Sequence, residues 1–174
     1  GQVFRGLRYY YTYAGISTDY RKKLAIDYSF NLSNFIDEFT WFGYNNELGI
    51  RFRPNDKFFL NYKLVYNYDP FNVGYATHDE EGKPLIGGRR LDTWENSFKG
   101  SYIFKNNMWL TIIARHYWIT GDYKKYFSLD QEGEMIENSL FTGNSNFNFN
   151  VMNIDIIYEW RFAPGSILNI IYKN

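Results

Sequence analysis

Cysteine is absent from this 174-residue sequence, proline occurs only 4 times and histidine 2 times. Without thiols, disulfides and thiolate metal sites are excluded. Nowhere does an apolar run approach the ~20 residues of a membrane-spanning helix. An excess of either charge is also missing, since 19 Lys and Arg balance 19 Asp and Glu. A neutral chain offers no bulk field to a polyanion, so no nucleic-acid partner is expected. The opening GQVFRGLRYYYTY lacks a basic stretch leading into an apolar one and so is no secretory signal, which leaves a cytoplasmic protein or a mature or internal piece, and the strand pattern below favours the second.

What the chain does have is aromatic rings. Tyr 17, Phe 16 and Trp 5 make up 22% of the residues, beside 22% charged residues and a mean hydropathy of −0.48. Disordered chains are poor in aromatics, whereas a pleated, half-buried surface favours them. The arrangement supports the same reading. From Val151 onward, Met152, Ile154, Ile156, Tyr158, Trp160 and Phe162 alternate with residues that include Asn153, Asp155, Glu159 and Arg161. Successive strand residues point to opposite faces, so this limb has one apolar face and one largely polar face. Pro164-Gly165 supplies a tight reversal, and Leu168, Ile170 and Tyr172 repeat the plan.

The same period of two runs through Phe4–Ala14, Leu24–Phe30, Phe39–Arg53, Phe58–Tyr68, Trp94–Phe104 and, less cleanly, Met108–Trp118. Short breaks at Gly15–Asp19, Pro54–Asp56, Lys105–Asn107 and Ala163–Gly165 alternate with longer ones at Asn31–Asp37, Asp69–Arg89 and Thr120–Asn146. Short turns at one end and long loops at the other are the layout of an outer-membrane barrel. The fold class expected is therefore all-β, an antiparallel transmembrane β-barrel of the outer-membrane type, to which the chain contributes about eight strands. The whole chain, 1–174, reads as a single barrel domain or a fragment of one. With an even strand count and both termini on the periplasmic side, at least one strand is expected after Asn174 and one or more before Gly1, so the chain reads as the C-terminal part of a larger barrel.

Alternation alone leaves a soluble, ligand-binding barrel with the apolar face inside as the alternative. Two features favour the membrane. Tyr158, Trp160, Phe162, Phe104 and Phe58 gather near short turns as an interfacial girdle would. Lys63, Glu95, Lys99, Arg115, Glu159 and Arg161 lie on the opposite face, where a lumen would hold charges of both signs that pair across strands. These six are the candidate lumen-binding residues.

Catalytic chemistry has thin support. His78, in His78-Asp79-Glu80, lacks the ligand spacing of a metal site and reads as a solvated loop. His116, between Arg115 and Tyr117-Trp118, reads as part of an aromatic belt. No Gly-x-Ser-x-Gly occurs, and no nucleophile stands visibly beside a base. An outer-membrane hydrolase remains the third reading, through residues that only the fold would assemble. Asp122, Asp130, Glu132, Glu134 and Glu137, interleaved with Lys124 and Lys125, match no EF-type calcium loop and read as a solvated mixed-charge loop. No catalytic residue, metal or cofactor is assigned. Tyr123, Tyr126 and Phe127 are candidate surface-loop binding residues, suited either to stacking on sugar rings or to folding back over the barrel mouth.

Several words of sequence carry a resemblance: Asp69-Pro70-Phe71-Asn72-Val73-Gly74-Tyr75, Trp94-Glu95-Asn96, Ala114-Arg115-His116-Tyr117-Trp118 and, most specifically, Ala163-Pro164-Gly165-Ser166. From about residue 39 onward the chain resembles the C-terminal domain of unknown function in large Bacteroidota outer-membrane proteins that carry an N-terminal carbohydrate-binding family-9-like domain. The resemblance implies a bacterial outer-membrane location. The partners it implies are outer-membrane lipid, carbohydrate bound through a domain outside this chain, and proteins of an envelope complex. The expected function is the barrel portion of a glycan-related binding or uptake protein.

Overall fold

A computed structural model describes residues 8–35 and 42–174. Strands β1 (Tyr9–Ser17), β2 (Leu24–Phe35), β3 (Phe42–Phe52), β4 (Phe58–His78), β5 (Pro84–Lys105), β6 (Met108–Leu129), β7 (Met135–Glu137), β8 (Phe147–Ala163) and β9 (Ser166–Lys173) make up the fold. No helix occurs among the described residues. The strands form one antiparallel sheet in the order β1-β2-β3-β4-β5-β6-β8-β9, with β7 added to β6. Each main strand therefore pairs with its sequence neighbour. The parts of the expected strands at Phe4–Leu7 and Phe39–Trp41, and the end of the expected Asn31–Asp37 loop, lie outside the described residues.

The sheet is not closed. β1 and β9 are its two edges and do not pair with each other. β9 pairs with β8 only from Asp155 to Ala163, so the Phe147–Asn153 half of β8 has a free edge. Where about eight strands of a larger barrel are expected, the described residues form an open antiparallel sheet of nine strands.

Among the described residues the strands lie where the pattern places them, but they run on beyond it. Ser17 still pairs with Asp27, and β2 runs on through Asn31–Phe35. The supposed loop Asp69–Arg89 is mostly strand, and the supposed loop Thr120–Asn146 is strand up to Leu129 and again over Met135–Glu137. β4 and β5 continue together to His78 and Pro84, with register shifts at Asp69/Asn72 and Tyr75/Thr77. β6 extends to Leu129. Bulges break the period of two there, which hides the strands from a pattern reading.

Glycine misleads for a different reason. Gly87, Gly88 and Gly121 sit inside strands, and an added Cβ would lie 2.3 Å from the Tyr123 ring, 2.6 Å from the Phe71 ring and 2.2 Å from the Phe147 ring, respectively. These glycines are the floor on which rings lie, a recognised use of strand glycine.

The turns at two of the strand tips are short. At the β4–β5 tip, Asp79 Oδ1 accepts from the backbone N–H of Glu81 (3.0 Å) and Lys83 (2.8 Å). At the β6–β7 tip, Asp130 Oδ1 accepts from Glu132 (3.0 Å) and Glu134 (2.8 Å) in the same way. Gly82 (φ 78°) and Gly133 (φ 83°) take the left-handed position that follows in each. The sequence thus uses one turn, Asp-x-Glu-Gly, twice. A type I turn closed by a left-handed glycine is a standard three-residue hairpin connection.

Most of the buried apolar side chains among the described residues lie at the extended end of the sheet. Phe71, Leu85 and Phe127 are buried there, and Ala25 is the other buried apolar residue among those described. Phe71 meets Phe127 edge to face, with centroids 6.4 Å apart. Tyr126 packs on Phe141 at 4.6 Å and its hydroxyl accepts from the Ser145 N–H at 3.0 Å, which ties the segment before β8 to the far end of β6.

Candidate functional site: the charged face

Paired residues in a sheet share a face, so the register decides which side chains meet. Lys63, Ser97, Arg115 and Asn153 lie in one row across β4, β5, β6 and β8, and Val65, Glu95, Tyr117 and Val151 lie in the next. These residues surround a shallow concavity of about 330 Å³ on that face. On β5, Lys99 projects from the same side two positions beyond Ser97.

Ion pairs cross this face diagonally. Lys63 Nζ lies 2.8 Å from Glu47, one strand over, and Arg115 Nη1 lies 3.0 Å from Asp155. Arg161 pairs with Glu159 at 3.2 Å along β8 and covers the Trp109 ring at 4.8 Å. Glu95 and Lys99 make no ion pair among the described residues. Pairs this exposed contribute roughly 0–1 kcal/mol each. They define the chemistry of the face rather than hold the sheet together.

The six expected lumen residues therefore share one face, and the concavity gathers Lys63, Glu95 and Arg115. Their partners Glu47 and Asp155 were missed. Opposite charges on neighbouring strands were a visible signal, but pairing them requires the register. The face is not uniformly polar: Ile113, Ile157 and Ile171 lie on it toward β9.

Tyr123, Tyr126 and Phe127 do not form an open platform. A register shift between Gly88 and Arg89 leaves Lys124 extra and brings Tyr123 and Tyr126 to one face. Their rings stack 5.7 Å apart at 9°. Arg89 lies 5.3 Å from the Tyr123 ring, hydrogen-bonds its hydroxyl, and holds Asn72 Oδ1 at 3.0 Å. Phe127 turns to the other face and is buried.

The histidines are engaged with neutral partners. His78 Nδ1 lies 2.9 Å from the Tyr75 hydroxyl. His116 stands on the apolar face, between Asn96 at 3.2 Å and Asn150 at 3.0 Å. Of the acidic loop residues, Asp130 makes a turn, Glu137 pairs with Lys125 at 2.8 Å, and Asp122 pairs with Lys124 at 2.5 Å. The Lys124 ammonium holds the Asp122 carboxyl below the usual carboxylate range. A depressed carboxylate stabilises above its ordinary pKa, and that contribution is lost as pH falls through the lowered value. Among the described residues, no group of three or more His, Asp or Glu is placed to hold a metal.

A family model matches residues 1–174, that of a domain of unknown function, DUF5916. The chain belongs to the DUF5916 family. The match covers the whole chain, further than the stretch from about residue 39 that carries the resemblance. Comparison of this DUF5916 chain with curated proteins and with solved structures gave no match.

Proposed function

We propose that this DUF5916 chain is the barrel wall of a glycan-related binding or uptake protein of the bacterial outer membrane. In this reading the apolar face meets lipid and the charged face lines an aqueous lumen, closed by strands that pair with the free edges of β1 and β9. The supporting observation is the near-absence of a core. The chain exposes 11994 Å². A compact monomer of its 20.9 kDa mass would expose about 9000 Å². Met152, Ile170 and Tyr172 on the apolar face are 54%, 58% and 56% exposed.

A sheet open on both faces in water buries too little to offset the entropy of ordering its chain. A bilayer supplies an apolar solvent for one face and leaves the other wet. The glycan-related part rests on the family resemblance, and the mixed charges around Lys63, Glu95 and Arg115 suit a polar solute. A soluble ligand-binding barrel, closed by the same added strands, would instead put the apolar face inside around a ligand.

The test uses the absence of cysteine. Single cysteines are placed from Leu60 to Tyr68 in the intact protein in membranes and treated with water-soluble and lipid-soluble maleimides. Labelling of Leu60 and Tyr62 only by the lipid-soluble reagent, and of Asn61, Lys63 and Val65 by the aqueous one, is expected. If the first set is shielded from both reagents, the apolar face is interior and the membrane reading fails.

A further inference from the structure

The apolar face does not stay apolar along its whole length. On β6 its residues run Met108, Leu110, Ile112, Ala114, His116 and Trp118, then change to Thr120 and Asp122. On β8 they run from Phe162 through Trp160, Tyr158, Ile156, Ile154 and Met152 to Asn150 and Asn148. On β5, Trp94 is followed at the same face by Asp92 and Arg90, which form an ion pair at 3.1 Å. The change falls at one level on three neighbouring strands.

At that level the polar groups satisfy one another. The Tyr62 hydroxyl donates to Asn96 Oδ1 at 2.7 Å, Asn96 meets His116 at 3.2 Å, and His116 meets Asn150 at 3.0 Å. Trp118 Nε1 donates to Asn148 at 2.8 Å and the Tyr66 hydroxyl donates to Asp92 at 3.0 Å. Tyr66 also stacks on Trp94 with centroids 4.1 Å apart. Aromatic rings whose polar tips are bonded belong at a water–hydrocarbon boundary. At the opposite end, beside the short turns, Phe52 and Phe58, Tyr102 and Phe104, and Trp160 and Phe162 form a second row of ring pairs.

The spacing between the two rows fits one occupant. From Met152 to Phe162, β8 rises ~34 Å at ~3.4 Å per residue, or ~26 Å at a tilt of ~40°, against the ~25 Å apolar band of outer-membrane barrels. We propose that hydrocarbon contacts this sheet only between the Asn96–His116–Asn150 belt and the Trp160–Phe162 row. The upper parts of β4, β5 and β6 then stand clear of lipid as a water-facing rib. This assignment rests on the membrane reading above and adds its limits. The rib has its own packing, with Phe71, Leu85 and Phe127 buried in it, so it holds its shape without lipid on its surface.

Fluorescent labels on single cysteines in the intact protein, in vesicles whose acyl chains carry bromine at known depth, test it. Labels at Leu110, Ile112, Ile154 and Ile156 are expected to be quenched by the chain-borne bromine. Labels at Thr120, Asp122 and Tyr75 are expected to escape it and to be quenched by aqueous iodide. Ile113 and Ile157, apolar but on the charged face, are expected to escape the bromine as well. Bromine quenching at Thr120 or Tyr75 together with that at Ile112 would overturn the proposed limits while leaving the protein in the membrane. No bromine quenching anywhere would remove the membrane reading and this inference with it.

Discussion

Gly121 shows how little room single residues have in this sheet. Its bare backbone carries the Phe147 ring, and a methyl group there would sit 2.2 Å from a ring carbon. Gly121→Ala is expected to destabilise by about 1–3 kcal/mol, the range for overpacking. In urea unfolding of the intact protein, the double variant with Phe147→Leu should recover part of that loss. A merely conformational effect of alanine would show no such coupling. The two turn aspartates act differently. Each accepts two backbone N–H groups at a hairpin tip. Asp79→Ala should cost about 1 kcal/mol, read as faster hydrogen exchange at Glu81 and Lys83. Asp79→Asn keeps the acceptor and should exchange nearly as the parent does. The repeated Asp-x-Glu-Gly was open to view in the sequence, but an acidic cluster draws attention as a metal or catalytic candidate before it is considered as turn chemistry.

At the scale of elements, the strands that alternate cleanly were legible and their extensions were not. Leu24–Phe30, Phe58–Tyr68 and Val151–Phe162 show their period because nothing interrupts it. Beyond Asp69, a bulge shifts β4 against β5, and beyond Gly121 another shifts β6. Each bulge reverses which residues share a face, and the glycines under the rings resemble loop composition. The resulting rib is a small packed unit within an otherwise uncovered sheet. Leu85, at 0% exposure, is its most buried side chain. Leu85→Ala should cost about 2–5 kcal/mol, and local exchange should rise across His78–Arg90 before it rises in the band below, since a separately packed unit opens first.

For the molecule as a whole, the two faces of the sheet and the two ends of its strands define four environments. A charge introduced in each tests the scheme. Ile112 partners Gly100 and Ile156 midway between the two ring rows. Ile112→Arg should cost about 2–4 kcal/mol in bilayers. Leu64 lies level with Asn96, which adjoins His116 in the polar belt, and Leu64→Arg should cost about 0–1 kcal/mol, as near an interface. Ile113→Arg, on the charged face beside Asp155, should be tolerated. Equal costs at Ile112 and Ile113, measured by reversible unfolding from vesicles, would mean that the two faces see the same medium.

The sequence by itself determined that the chain is a meander of amphipathic strands, because side-chain alternation and Pro-Gly or Asn-rich reversals are local properties. It also separated Lys63, Glu95, Lys99, Arg115, Glu159 and Arg161 from the apolar set, since face is only parity along a strand. Tertiary structure decided the rest: that the strands outrun their pattern, that Tyr123 and Tyr126 stack on each other while Phe127 is buried, and that Lys63 meets Glu47 and Arg115 meets Asp155. It also decided that the sheet stays open along β1 and β9. Each of these depends on register between strands far apart in sequence, and register is set by the contacts that form when the sheet assembles.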